Sequence, residues 1–383
     1  MFFQQLIAWI HWDPPRFAFT VPFIDRPVAW YGIFFALGFI LGFILIIPIF
    51  KRKLLEKKQI LERDIANWPL LLTDLKQGIG KNNSQMIALF NKFSDKAQLA
   101  IRNFKIKQEP DEYLKREILQ VLSSAMRDSK LQFTRTQIEN LFPKAIHSVR
   151  DLSVFLTDRI TWFVVAGTIV GARLGHVFLY DWPRYQNNPL EIFKIWEGGL
   201  ASHGGTVGIM IALFAFLKMI HKRFPEFTFI DLLDILCIPT AMAAFWIRIG
   251  NFFNQEILGP VTTAPWAVVF GHPYDGSSPL PRHPTQLYEA LAYMVTFVFL
   301  FTLWKKSAEK LKKGTLIGLF MICVFGSRFL IEFLKNPQSA MIDESFLSTG
   351  QYLSVPFIIM GIAFLLYKSN DPIPSKIISN GSH

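Results

Sequence analysis

Seven stretches of the chain are apolar without the regular polar interruptions of a water-facing helix or strand: approximately residues 28–50, 155–180, 201–220, 229–248, 286–304, 314–334 and 350–368. At a rise of about 1.5 Å per residue, each is long enough to cross a hydrocarbon layer of about 30 Å as a helix. A helix is the expected form, because it pairs every backbone N–H and C=O within one segment where water cannot. The pattern predicts an all-α polytopic membrane protein with seven transmembrane helices.

Between the first and second stretches the pattern changes. In SDKAQLAIRNFKIKQ and DEYLKREILQVLSSAMRD the apolar residues recur every three or four positions, which predicts amphipathic helices in an insertion over 51–152. That insertion holds 20 Lys+Arg against 12 Asp+Glu. It reads as a family-specific elaboration resting on an anionic leaflet, or as a regulatory or partner-binding module.

Composition agrees with the pattern: 51% of the 383 residues are hydrophobic, 15% are aromatic, and 38 are Phe. The net charge of +11 admits nucleic acid as a partner, but the basic residues lie beside helix ends rather than along one soluble face. A membrane surface suits them better, and no nucleic acid partner is expected. Cys237 and Cys323 fall inside apolar segments, so neither a disulfide framework nor a zinc spacing follows; no metal or cofactor is expected. Residues 1–27 lack a basic start and a small-residue cleavage site, and contain His11, Asp13, Pro14, Pro15, Asp25 and Pro27. They do not read as a removable signal peptide.

Orientation follows from the basic loops, because short basic segments are retained in the cytoplasm. KRKLLEKK follows the first stretch, KMIHKR the third and KKSAEKLKK the fifth, whereas the intervening loops carry only Arg184 and Lys194, Arg282, and Lys335. The N-terminus is therefore expected outside and the C-terminus inside. The expected organisation is an extracytoplasmic segment and first span over 1–50, a basic helical cytoplasmic insertion over 51–152, spans two to seven over 153–368, and a cytoplasmic tail over 369–383. The loop 252–285 is rich in Pro and Gly and longer than a plain connector.

A charge in mid-membrane costs about 2.5–3.5 kcal/mol, so each one calls for a partner or a task. Arg173, Arg248 and Arg328 lie near the ends of the second, fourth and sixth spans, and His203, Tyr288 and Glu289 near the starts of the third and fifth. With that topology, all of them and Tyr31 fall at the outer face. Guanidinium groups at one level form an anion trap, since their planar fork of donors matches a phosphate. Other readings stand beside this one. Arg328 and Glu332, at i and i+4, can neutralise one another; Arg173 can snorkel to headgroups; RIGNFFNQE can be an elaborate helix end; His203 can be a packed helix-start residue; and His176, His272 and His283 are rival bases. The glycines around His203 allow close approach of the backbone to a ligand or to a neighbouring helix.

Together, AWYG at 29–32, GARLG at 171–175, GGLASHGG at 198–205, RIGNFFNQEILG at 248–259, RHPTQLYE at 282–289 and SRFLIEF at 327–333 resemble the prolipoprotein diacylglyceryl transferases. The resemblance spans roughly 20–50 and 155–368 and leaves the insertion unexplained. It implies transfer of the diacylglyceryl group of phosphatidylglycerol to the lipobox cysteine thiol of a preprolipoprotein, at the bacterial inner membrane, with glycerol 1-phosphate as the other product. It carries activity over to Tyr31, His203, Arg248, Asn251, Gly259, Arg328 and Glu332. The chain departs from the family pattern at Ala201–Ser202, at Val324 where many members carry tyrosine, and at His176 where an aromatic residue is usual.

Such a reaction requires a thiolate and stabilisation of a departing phosphate. His203 is the candidate base, Arg248 and Arg328 the phosphate donors, and Tyr31 the fourth catalytic candidate. Arg173, Asn251, Asn254, Glu256, Gly259, Tyr288, Glu289 and Glu332 complete the expected substrate-binding set, with Glu332 positioning Arg328. A transporter and a scaffold that binds anionic phospholipid are the competing classes.

Overall fold

The computed structural model describes residues 9–22, 25–56, 58–105, 108–128, 131–195, 198–307, 310–335 and 347–366. The expected tail over 369–383 lies outside the described residues, as do Trp196 and Glu197. Three short strands, β1 (Ile10–Trp12), β2 (Phe17–Val21) and β3 (Arg26–Ala29), precede a long apolar helix, α1 (Trp30–Leu55). Five short helices follow: α2 (Trp68–Gly80), α3 (Ser84–Phe90), α4 (Asp95–Asn103), α5 (Glu112–Arg127) and α6 (Arg135–Leu141). Next come α7 (Val149–Leu179), α8 (Trp182–Asn187), α9 (Ser202–Ile220) and α10 (Phe229–Phe253). Strands β4 (Val268–Phe270) and β5 (Pro281–Arg282) precede α11 (Thr285–Ser307), α12 (Thr315–Ile331) and α13 (Thr349–Leu366).

Seven of these helices, α1, α7, α9, α10, α11, α12 with the turn that follows it, and α13, are long and apolar enough to span a membrane. Their positions match the seven apolar stretches. The main difference is α7, which starts at Val149, six residues before the apolar run, because Ser148 caps it by accepting the Asp151 N–H. The short strands have no counterpart in the hydropathy pattern.

The chain divides into two compact units, Met1–Ile46 with Phe227–His383, and Ile47–Glu226. In the first, α10, α11, α12 and α13 pack in sequence. Asp234 of α10 stands in for a cap at the start of α12, accepting the Gly314 N–H at 2.7 Å and the Ile317 N–H at 2.9 Å. Strand β4 pairs with β1 in parallel and with β5 antiparallel, while β2 and β3 form a hairpin.

In the second unit, α2–α6 close over their own apolar core. Helix α5 buries Leu114, Ile118, Val121, Leu122 and Ala125, one stripe at helical spacing. Asn67, Asn83, Ser94, Asp111 and Thr134 cap the N-termini of α2 to α6. Helices α7 and α9 cross through glycine. A Cβ on Gly175 would lie 2.6 Å from the Gly204 Cα, and one on Gly171 2.7 Å from the Gly208 Cα, so neither position admits a side chain at this separation. Of the two roles considered for the glycines around His203, Gly204 serves contact with a neighbouring helix.

Candidate active site

Arg248 projects from the last turns of α10. Its Nε lies 3.0 Å from Glu289 Oε2, and Nη1 donates to Asn251 Oδ1 at 2.9 Å. Asn251, one turn on, passes the constraint outward: its Nδ2 donates to Glu256 Oε1 at 2.9 Å, which also accepts from Asn254 Nδ2 at 3.3 Å. The helix continues through Gly250 to Phe253, with Asn254 as the C-cap. Gly250 receives the Tyr31 ring, whose Cδ2 would lie 3.0 Å from a Cβ placed there. The Tyr31 hydroxyl is within electrostatic reach of both Arg248 and Glu256.

Beyond α10 the chain turns through two left-handed residues, Gln255 at φ 52° and Ile257 at φ 60°. Gln286 Nε2 donates to the Glu256 carbonyl at 2.6 Å and Thr285 Oγ1 to the Ile257 carbonyl at 2.8 Å, which fixes this turn against the start of α11. A Cβ on Gly259 would lie 2.6 Å from the His283 carbonyl oxygen and 2.9 Å from that of Leu334, so Gly259 is required by contact on two sides. Tyr288 lies at the same level, its hydroxyl accepting from Trp266 Nε1 at 2.7 Å and lying 3.0 Å from His283 Nδ1.

Glu289 is the hub of the charges. It is 0% exposed and holds Arg248 on one oxygen and Lys335 Nζ, at 3.0 Å, on the other. Tyr293 Oη adds a hydrogen bond of 3.3 Å from one turn further along α11. Lys335 also pairs with Glu332 Oε2 at 3.2 Å, and the Glu332 carboxylate packs against Gly350 at the start of α13. Neither Lys335 nor Tyr293 was expected from the sequence. Lys335 stood only as a sparse charge after the sixth span, and Tyr293 as one more aromatic residue in an apolar run.

The expected i,i+4 pair of Arg328 and Glu332 is absent among the described residues. Helix α12 ends at Ile331, and Glu332–Leu334 form a 3-10 turn. A turn with three residues per revolution brings i and i+3 into line, so Glu332 meets Lys335 instead. Arg328, half-buried, makes no hydrogen bond or ion pair among the described residues, while its charge acts on both Glu289 and Tyr293. Arg248 contacts the Glu289 carboxylate directly, and the charge of Arg328 acts on the same carboxylate and on the Tyr293 phenol.

Arg173 and His203 belong to the other unit. Arg173, 4% exposed, does not snorkel. It donates to the carbonyls of Glu191, Ile192 and Gly198 at 2.6, 2.9 and 2.6 Å and reaches that of Gly199 at 3.3 Å. That occupies the fork in holding the segment before α9. Gly198 and Gly199 adopt positive φ of 89° and 69°, and Gly199 lies against the His176 ring. His203 is exposed in the first turn of α9, without a hydrogen-bond partner among the described residues. It stands on an apolar groove of about 920 Å³ between α7 and α9, lined by Trp162, Phe178, Val207 and Ile211 among others.

Outside the spans, Asp13 follows β1. The hydrogen bond from His272, then that from Gln255, holds its carboxyl below the usual aspartate value.

A family model described as prolipoprotein diacylglyceryl transferase matches residues 139–367. A phosphatidylglycerol–prolipoprotein diacylglyceryl transferase of Protochlamydia amoebophila is 45% identical over 375 residues, 97% of this chain and 98% of the relative. Relatives of the same name from Tolumonas auensis and Chlamydia trachomatis are 44% and 39% identical over 214 and 198 residues, covering 56% and 51% of this chain and 80% and 72% of theirs. A match over 97% of the chain includes the insertion, so the Protochlamydia relative shares it.

Proposed function

Since this chain belongs to the prolipoprotein diacylglyceryl transferase family, we propose that Arg248 and Arg328 grip the phosphate of phosphatidylglycerol while its diacylglyceryl group passes to a cysteine thiol. The chain is a transferase of the first step of lipoprotein lipidation. In that step sulfur attacks the glycerol carbon, a C–S bond forms as the C–O bond to phosphate breaks, the thiol proton goes to a base, and glycerol 1-phosphate leaves.

The observation that carries the arginine assignment is the pairing of one committed and one uncommitted guanidinium around Glu289. Arg248 is oriented by Glu289, Asn251 and the Tyr293 phenol, which aims its guanidinium. Arg328 has no such tie among the described residues, so its fork is offered to an incoming oxyanion. Pre-aimed donors of this kind lower the barrier as charge gathers on the departing phosphate. Glu256, Asn254, Tyr288 and Gly259 support the phosphate site by shaping the turn, and Glu332 acts by holding Lys335. Tyr31 bounds the site from α1. Arg173 serves by shaping the segment that leads to His203.

His203 is the proposed base. Its imidazole is exposed and neither ring nitrogen is engaged among the described residues, so it is placed to accept the thiol proton. A His203→Gln enzyme should lose turnover most at low pH and recover part of it as the thiol ionises unaided. Near-normal turnover across the range would remove the histidine from the mechanism.

The basic loops after the first, third and fifth spans support an outside N-terminus, an inside C-terminus, a cytoplasmic insertion and residence in the bacterial inner membrane. The decisive variant for the phosphate site is Arg328→Lys, which keeps the charge and loses the fork. Loss of a donor aimed at the leaving group corresponds to about 3 kcal/mol, on the order of a hundredfold in turnover. Full activity of that variant on a lipobox peptide in phosphatidylglycerol vesicles would refute bidentate binding.

A further inference from the structure

The mechanism leaves the N-terminal strand without a task, yet that strand is tied to the residue next to Glu256. Strand β1 pairs with β4. Trp12 Nε1 donates to the Phe252 carbonyl at 3.2 Å, and its ring packs on Phe252 and Phe253, with centroids 4.6 and 5.0 Å away. The Gly271 N–H returns a bond to the Trp12 carbonyl at 3.0 Å, and a Cβ on Gly271 would displace the Asp13 carboxylate.

Asp13 Oδ1 then accepts from Gln255 Nε2 at 3.2 Å and lies 2.6 Å from His272 Nδ1. Gln255 Oε1 accepts the His272 N–H at 2.7 Å, and the Gln255 carbonyl accepts that of Tyr274 at 3.0 Å. Gln255 is 3% exposed and sits at φ 52°, a conformation unfavourable for a residue with a Cβ. These bonds to two segments hold it there. Its conformation sends the next residue back over α10: the Glu256 N–H bonds the Asn251 carbonyl at 3.1 Å and Glu256 Oε1 receives Asn251 Nδ2. Asn251 in turn holds Arg248.

We infer that Gln255 is a positioning residue for the transfer, acting through Glu256 and Asn251 on Arg248, and that the N-terminal strand props it through Asp13. This rests on the assignment of Arg248 to the phosphate. Gln255 touches no reacting atom. Its effect is on the aim of the guanidinium, so it bears on turnover more than on the capture of lipid.

The test uses the full chain in phosphatidylglycerol vesicles with a lipobox peptide, and compares Gln255→Gly, Asp13→Asn, the double variant and Arg248→Lys. Glycine adopts the left-handed turn without strain, so Gln255→Gly removes the amide and spares the fold. Misaim of a catalytic group by a fraction of an ångström predicts kcat lowered roughly ten- to a hundredfold, with KM for phosphatidylglycerol changed less than about threefold. Asp13→Asn should lower the same parameter by a smaller factor. The double variant should be no worse than Gln255→Gly, because both cuts sever one link. Wild-type kcat in Gln255→Gly alongside an impaired Arg248→Lys overturns the inference and leaves the phosphate assignment standing. A lowered melting temperature with unchanged kcat per folded enzyme also overturns it, as a purely structural role. An unimpaired Arg248→Lys removes the phosphate assignment and the inference with it.

Discussion

Replacing Glu289 by glutamine removes one charge while preserving the shape of the hub. The buried carboxylate holds two cations, Arg248 Nε and Lys335 Nζ, each at 3.0 Å. A glutamine amide has one oxygen, so whichever cation keeps it, the other faces an NH2 group. Lys335 retains the charged Glu332 at 3.2 Å, whereas Arg248 retains only neutral partners, the Asn251 amide and the Tyr293 phenol, so the deficit falls on Arg248. Leaving a buried charge without its partner costs about 3–5 kcal/mol. The 13% exposure of the Arg248 side chain places this case at the low end, since some solvent reaches it. An Arg248 without its Nε anchor also loses its aim, and the loss of one pre-aimed donor predicts kcat lower by on the order of a hundredfold. Peptide lipidation in phosphatidylglycerol vesicles reads the second effect, and thermal unfolding of the same preparation reads the first. Wild-type kcat together with an unchanged melting temperature would refute the reasoning, because it would mean that the neutral partners Asn251 and Tyr293 suffice to orient the guanidinium.

Three further outcomes follow from the geometry. Gly208→Leu in α9 drives a side chain into the backbone of α7 beside Gly167 and Gly171; overpacking of this kind costs about 1–3 kcal/mol, read as a lowered melting temperature. Arg63→Ala strips Glu226 of a guanidinium held on both carboxylate oxygens, with side chains only 9% and 7% exposed; stability should fall by about 3–5 kcal/mol while kcat per folded enzyme is retained. Because the His272 and Gln255 hydrogen bonds depress the Asp13 carboxyl, the stability they confer is present above the ordinary aspartate pKa of about 3.9 and is lost as pH falls through the lower folded value. The stability advantage of wild type over Asp13→Asn should therefore vanish only in acid below that ordinary value; an advantage that disappears near neutral pH would contradict the assignment.

The spans were legible because hydropathy is a local property: the seven apolar stretches and the seven spanning helices agree to within a few residues at most ends. Arg248, Glu289 and Arg328 were legible as candidates because charges in apolar runs are costly and therefore rare. Pairing was not legible. Strand β1 is three residues long and its partner lies some 250 positions away in a Pro- and Gly-rich loop, so no alternation announces it. The Arg328–Glu332 expectation failed because an i,i+4 rule presumes continuous α-helix, and where α12 stops is decided by packing. Lys335 was missed for the same reason: its role exists only once a 3-10 turn sets it beside Glu332 and Glu289. Arg173 was recognised as too costly to be idle, but only the backbone path from Glu191 to Gly199 identifies its partners as carbonyls.

The pairing changes what the site can select. A row of arginines read from sequence suggests a surplus of positive charge, open to any anion. In the first unit, Arg248, Arg328 and Lys335 stand against Glu256, Glu289 and Glu332, so the described side chains of the site balance. Of the three cations, Arg328 is the one with no ion-pair partner among the described residues. A phosphodiester carries one negative charge and matches one uncommitted cation. The phosphate monoester released by transfer acquires a second charge near neutral pH, since its second pKa is about 6. That extra charge meets the three carboxylates, while Arg248 and Lys335 are already held by Glu289. On the proposed assignment of Arg248 and Arg328 to the phosphate, the product is held less well than the substrate, so the Glu289 hub, by consuming two cations, would favour release as well as aim.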